Sequence, residues 1–240
     1  NMWGQSWSNI YDLVYTEESN SNSVDVTKII ADKNINEIQM VEYAEDFFIS
    51  IGFDPLPETF WERSLFVKPR DRSVVCHASA WNLDPANNDL RIKMCIERNE
   101  EDFITIHHEL GHIFYYQAYN HLPTLFQGGA NDGFHEAFGD LLTLSITPDY
   151  LTKIDFISEE QANIAKEDPI GLLMKQALEG VVVVPWALML DKWRSGVFNG
   201  DIKEDELNTL WWQLREEYQG IGTSDDRTEE YFDPGAKYHI

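Results

Sequence analysis

Residues 101–112 read Glu101-Asp-Phe-Ile-Thr-Ile-His-His-Glu-Leu-Gly-His112, and residues 133–140 read Gly133-Phe-His-Glu-Ala-Phe-Gly-Asp140. On a helix, positions i and i+4 share one face, one turn apart. His108 and His112 can therefore grip one metal ion together, and Glu109 sits where it can polarise a metal-bound water. His107 points about 100° away round the helix and is not a ligand candidate. Two imidazoles need a third ligand if a fourth position is to stay open for water. Glu136, 24 residues beyond His112, supplies it, because that gap lets one helix end, turn and start another beside it. Asp140 lies four residues beyond Glu136 on the same helical face. A carboxylate there commonly orients a metal-bound histidine through its free N–H. The two stretches predict a zinc helix over 101–120, a second over 134–146, and one Zn²⁺ on His108, His112 and Glu136.

The remaining chain supports a mainly helical class with one small β-hairpin. Ile38, Val41, Ala44, Phe48 and Ile51 recur at helical spacing and predict an amphipathic helix over 37–51. A short helical turn is expected over 57–63. Ser158-Glu-Glu-Gln161 is a capping box that opens another helix. Pro169 can start a further helix, which Pro185 should kink or break. A last helix over 201–218 carries Trp211, Trp212 and Leu214. Pro148 should stop the second zinc helix. No repeat or composition shift marks a boundary, so 1–240 reads as a single domain.

Cys76 and Cys95 each sit in a β-type run, with a turn-rich stretch containing Pro85 between them. A hairpin would bring them close, either as two buried thiols or as a disulfide. A disulfide closing that loop would add roughly 3 kcal/mol and would imply an oxidising compartment.

The chain of 240 residues is 43% hydrophobic, enough for a sizeable core, and its net charge is −24. That charge argues against nucleic acid, which needs a basic footprint, and against an anionic membrane surface. The acid is spread along the chain, as solubility or a salty habitat would favour. No apolar run approaches the 18 residues of a membrane span.

Several blocks, in order, resemble the angiotensin-converting enzyme (peptidyl-dipeptidase A) family from end to end. They are Asn1-Met-Trp-Gly-Gln-Ser-Trp-Ser-Asn-Ile-Tyr-Asp12, Val74-Val-Cys-His-Ala-Ser-Ala-Trp81, His107–His112, Gly129–Asp140, Trp211–Gly220, and Phe232-Asp-Pro-Gly-Ala-Lys-Tyr-His-Ile240. The resemblance implies a largely helical metallopeptidase fold with a deep central cleft. It places this chain as a middle-to-late fragment of a longer domain.

It also implies a zinc peptidyl-dipeptidase that releases C-terminal dipeptides from oligopeptides with a free C-terminus. Within it, zinc is held by His108, His112 and Glu136, with Glu109 as general base and Asp140 behind the histidine ligand. His239 would stabilise the oxyanion and help protonate the leaving amine. Gln5 and Lys237 would clamp the substrate carboxylate, and His77 and Ala78 would contact the peptide backbone. Without the resemblance, Lys237 reads as a surface charge and His77 equally as a packed structural histidine. Trp211 and Arg215 match a chloride site, which makes chloride a candidate activator. Cys76 and Cys95 match a disulfide, which implies an extracellular or periplasmic, secreted setting. Gly180 and Val183 depart from the lysine or phenylalanine of better-known members in the product-side pocket. The alternatives are a zinc carboxypeptidase of related ligand pattern and a non-catalytic peptide-binding homologue.

Overall fold

A computed structural model describes residues 7, 10–15, 24–167 and 169–236. In chain order the elements are α1 (Tyr11–Val14), α2 (Val26–Asp32), α3 (Glu37–Ser50), α4 (Glu58–Arg63), β1 (Ser79–Asp84), β2 (Asp89–Lys93), α5 (Glu100–Asn120), α6 (Asp132–Thr143), α7 (Pro148–Lys153), α8 (Glu159–Glu167), α9 (Pro169–Asn199) and α10 (Leu207–Gln219). The class is mainly helical, and β1 and β2 form a two-stranded antiparallel sheet. The chain forms two compact units, Asn22–Glu167 and Asn1–Ser21 with Asp168–Ile240.

In the first unit, Asn36 opens α3 with a full capping box. Its side chain accepts from the Gln39 N–H at 3.0 Å, and Gln39 accepts from the Asn36 N–H at 2.9 Å. This satisfies two amides that the helix itself cannot. The buried stripe of α3 is Met40, Val41, Ala44 and Phe48. Ile38 and Ile51 keep the expected spacing but are exposed, because the stripe is rotated away from them and Ile51 already lies past the helix end. Phe48 stacks on Phe114 of α5 with ring centroids 4.3 Å apart. Such an aromatic pair contributes about 0.5–1.5 kcal/mol beyond its area burial.

The hairpin pairs Ser79 with Lys93 and Trp81 with Arg91, and Asn88 turns it in the left-handed region (φ 53°). Residues 73–78, the β-type run around Cys76, lie outside the ladder, which begins at Ser79. The partner of the β2 exit is instead the segment at Leu65 and Phe66, where Met94 N–H donates to Leu65 O at 2.7 Å and Ile96 N–H to Phe66 O at 2.9 Å. A disulfide joins Cys76 to Cys95, with Cα atoms 5.1 Å apart. Asn82 of β1 donates to Asn120 at 2.9 Å, which docks the hairpin on the end of α5.

The second metal helix ends at Thr143, short of the expected 146, and Pro148 occupies the first turn of α7. Pro is well suited there, since its missing N–H would be unpaired anyway. The capping box at α8 is present: Ser158 accepts from Gln161 N–H, and Gln161 accepts from Ser158 N–H.

In the other unit, α9 runs unbroken through Pro185. Met189, Trp193 and Trp211 form a buried cluster between α9 and α10. The last helix begins at Leu207 and not at 201. Gly200 (φ 78°) ends α9, and the chain folds back so that Ile202 N–H donates to Gly196 O at 3.0 Å. The new N-terminus is capped from 20 residues downstream, where Glu229 accepts from the Asn208 and Thr209 N–H groups at 2.9 and 2.7 Å.

Candidate metal centre

The centre is built where α5 and α6 touch. Asn99 caps α5 by accepting from the Asp102 N–H at 2.8 Å, and Glu100, Glu101 and Asp102 lie in its first turn, where the helix dipole favours acid. Phe103, Ile106, Leu110, Ile113 and Phe114 bury the helix in the core. Asn131 caps α6, accepting from the Gly133 N–H at 2.8 Å. Two glycines set the distance between the helices. A Cβ on Gly111 would lie 2.9 Å from Gly139 Cα, and a Cβ on Gly139 would lie 2.7 Å from His108 Nδ1. Any side chain at either position would push the helices apart.

This approach converges three donor atoms from residues far apart in the chain. His108 Nε2 lies 3.2 Å from His112 Nε2 and 3.3 Å from Glu136 Oε2, and His112 Nε2 lies 3.7 Å from Glu136 Oε2. Ligands held tetrahedrally at about 2.05 Å from Zn²⁺ are separated by about 3.3 Å. The triangle is thus the right size for one zinc ion, and its two nitrogens and one oxygen suit that ion chemically. Asp140 Oδ1 lies 3.0 Å from His108 Nδ1, which leaves Nε2 to face the triangle.

The electrostatics follow the burial. Burial opposes charge on His108, but its hydrogen bonds to Asp140 and Glu136 carry it up to about 10. Burial and the neighbouring His108 hold His112 down to about 4. A cation in the triangle needs both facing imidazole nitrogens unprotonated, so metal binding and protonation compete there. Glu109 is buried, and desolvation chiefly, with Glu136 adding, pushes its carboxyl up to about 7. Lys93 at the end of β2 and His108 pull in the opposite direction. His107 is fully buried behind the site, with Nδ1 2.8 Å from Phe103 O and Nε2 3.0 Å from Tyr150 Oη. Its exclusion from the ligand set agrees with that placement.

A family model described as angiotensin-converting enzyme, Peptidase M2, matches residues 1–240. The chain is 45% identical over 242 residues to angiotensin-converting enzyme of Bos taurus and 46% identical to that of Oryctolagus cuniculus. Each match covers 100% of this chain and 18% of the relative. The chain belongs to the angiotensin-converting enzyme family. A relative from the fly Haematobia irritans exigua is 41% identical over 248 residues, covering 100% of this chain and 39% of that enzyme. The chain spans under a fifth of the length of these mammalian members of the family.

The angiotensin-converting enzyme motif residues divide by where they fall. His108, Glu109, His112, Glu136 and Asp140 come together at one place. His77 and Ala78 lie between the disulfide and β1, with Ala78 packed on the core. Trp211 and Arg215 are buried one turn apart on α10, and Trp211 Nε1 has no hydrogen-bond partner among the described residues. Burial lowers the Arg215 pKa, against the pull of Asp233. Gln5, Lys237 and His239 lie outside the described residues. Sequence reasoning passed over His135 and Tyr119. His135 Nδ1 lies 3.2 Å from His112 Nδ1, and its Nε2 lies 3.0 Å from Tyr119 Oη. The available signal was Tyr119 at i+7 from His112, on the same face of α5.

Proposed function

We propose that this chain carries the zinc site and general base of a peptidyl-dipeptidase, which hydrolyses oligopeptides two residues from a free C-terminus. The observation that supports it most is the zinc-sized triangle of His108, His112 and Glu136 with a buried carboxylate, Glu109, next to it in sequence. Zinc, when bound, supplies Lewis acidity toward the scissile carbonyl and makes water acidic enough to attack near neutral pH. Glu109 takes the proton of the attacking water and delivers it toward the leaving amine. Asp140 fixes the tautomer and direction of His108.

In this reading His239 stabilises the oxyanion and assists the leaving group, Lys237 and Gln5 hold the terminal carboxylate, and His77 and Ala78 pair with the peptide backbone. A lysine with an amide donor makes a charge-assisted clamp for that carboxylate. Trp211 and Arg215, buried one turn apart on α10, would in this reading contribute to a chloride site, with chloride as activator. The Cys76–Cys95 disulfide fits a secreted, extracellular or periplasmic protein. Among the described residues no helix is long and apolar enough to cross a membrane. Both units belong, in this reading, to one catalytic domain.

The test is mass spectrometry of products from an oligopeptide with a blocked N-terminus, using the full-length protein with and without a chelator. Chelator-sensitive release of intact dipeptides is expected. Release of single residues would instead make it a carboxypeptidase. Zinc binding with no cleavage would make it a peptide-binding homologue.

A further inference from the structure

His108 and His112 are held from behind by different chemistry. Behind His108 stands a carboxylate, Asp140. Behind His112 stands an imidazole: His135 Nδ1 is 3.2 Å from His112 Nδ1. We propose that His135, the residue beside Glu136, is a positioning residue that locks His112 in the one tautomer able to bind a cation, with Tyr119 anchoring its far side. The inference rests on reading His108, His112 and Glu136 as the metal ligands.

The proton bookkeeping fixes the direction. To ligate through Nε2, His112 must carry its proton on Nδ1. That N–H then donates to His135 Nδ1, which must hold a lone pair. His135 in turn carries its proton on Nε2, where Tyr119 Oη accepts it at 3.0 Å. The reverse arrangement, with His135 donating from Nδ1, would place the His112 proton on Nε2 and block ligation. The His135 ring is held in place for this task. Tyr115 and Tyr116 pack against it with centroids 4.5 and 4.8 Å away. A Cβ on Gly129 would lie 2.8 Å from His135 Cδ2, so the loop before α6 closes the other side. Tyr115 Oη pins that loop by accepting the Ala130 N–H at 3.0 Å. One turn of α6 thus supplies a ligand, Glu136, and the support for another, His112.

The experiment measures zinc affinity of the full-length protein by competition with a chromogenic chelator, in wild type, His135→Leu, His135→Asn and Tyr119→Phe. Losing an outer hydrogen bond to a ligand typically weakens metal binding about 10–100-fold, and His135→Leu should fall in that range. Asn Oδ1 can take the place of Nδ1 as acceptor, so His135→Asn should recover most of the loss. The cobalt(II)-substituted absorption spectrum should change in His135→Leu and revert in His135→Asn. Tyr119→Phe leaves the ring in place and should show an intermediate loss, which keeps the test open if His135→Leu does not fold. Wild-type affinity and an unchanged cobalt spectrum in His135→Leu or, failing its folding, in Tyr119→Phe would overturn the inference. Equal losses in Leu and Asn that track the melting temperature of the metal-free proteins would also overturn it. Absence of zinc binding in wild type would remove the metal reading and this inference together.

Discussion

Replacing Gly139 by alanine adds one methyl group at the point where α6 meets His108. In a free helix interior that change is favourable by about 1 kcal/mol. Here the new Cβ would sit 2.7 Å from His108 Nδ1 and 3.0 Å from both Cε1 and Cγ. Ordinary contacts lie near 3.5–4.0 Å, so the ring or the helix must move by roughly 0.8 Å. His108 cannot simply swing away, because Asp140 holds Nδ1 at 3.0 Å and Nε2 must stay in the donor triangle. Overpacking of this kind costs about 1–3 kcal/mol, so metal-free stability should change little or fall by up to about 2 kcal/mol after the propensity gain. Metal ligation tolerates only about 0.2 Å of error. Zinc affinity of Gly139→Ala should therefore drop by about 10–100-fold, as for loss of the support behind a ligand. Chelator competition and urea melts of the full-length protein measure both quantities. Gly180→Ala is the control: its Cβ would meet nothing within 4 Å, so it should leave zinc affinity alone and, if anything, stabilise. Gly139→Ala with zinc affinity within about twofold of wild type would refute the argument that α5–α6 approach sets the site.

Three other outcomes are expected. Glu109→Gln in the full-length protein should keep zinc at wild-type stoichiometry, by metal analysis, while turnover falls by at least about 10²-fold; activity near wild type would remove Glu109 as base. Reducing the Cys76–Cys95 bond, or replacing both cysteines by serine, should cost roughly 3 kcal/mol in a urea melt, the chain-entropy expectation for a separation of 19 residues. Asp89 is held down at about 2 from an ordinary 3.8, chiefly by the Arg91 hydrogen bonds, with Arg63 adding. Its contribution is complete above about pH 4 and disappears as pH falls from 4 to 2. The urea-midpoint gap between wild type and Asp89→Asn should thus be constant from pH 7 to 5 and close below 4, and a gap that widens in acid would reverse the sign.

The clustering of His108, His112, Glu136 and Asp140 was legible in the sequence because a helical period of 3.6 turns spacing into direction. His108 with His112, and Glu136 with Asp140, each sit four residues apart, and the structure brings the four side chains together. Helix existence was readable for the same reason, and so was the capping chemistry at Ser158. What could not be read depends on contacts between segments distant in the chain. Gly111 and Gly139 look like ordinary helix-weakening residues until the helices are seen to touch through them. His135 and Glu136 point about 100° apart on α6, and only the rotation of that helix shows that both reach His112, His135 at Nδ1 and Glu136 at Nε2. The α10 start was misplaced because its cap, Glu229, comes from a later loop. The first half of the hairpin was misplaced because the partner of the β2 exit is the Leu65–Phe66 segment, which has no alternating pattern.

The most direct test of the central claim is anomalous diffraction at the zinc edge from crystals of the full-length protein grown with zinc. One peak is predicted, about 2.0–2.2 Å from His108 Nε2, His112 Nε2 and a Glu136 carboxylate oxygen, with a fourth position left open. No peak there despite bound zinc elsewhere, or a peak that excludes Glu136, would contradict the account.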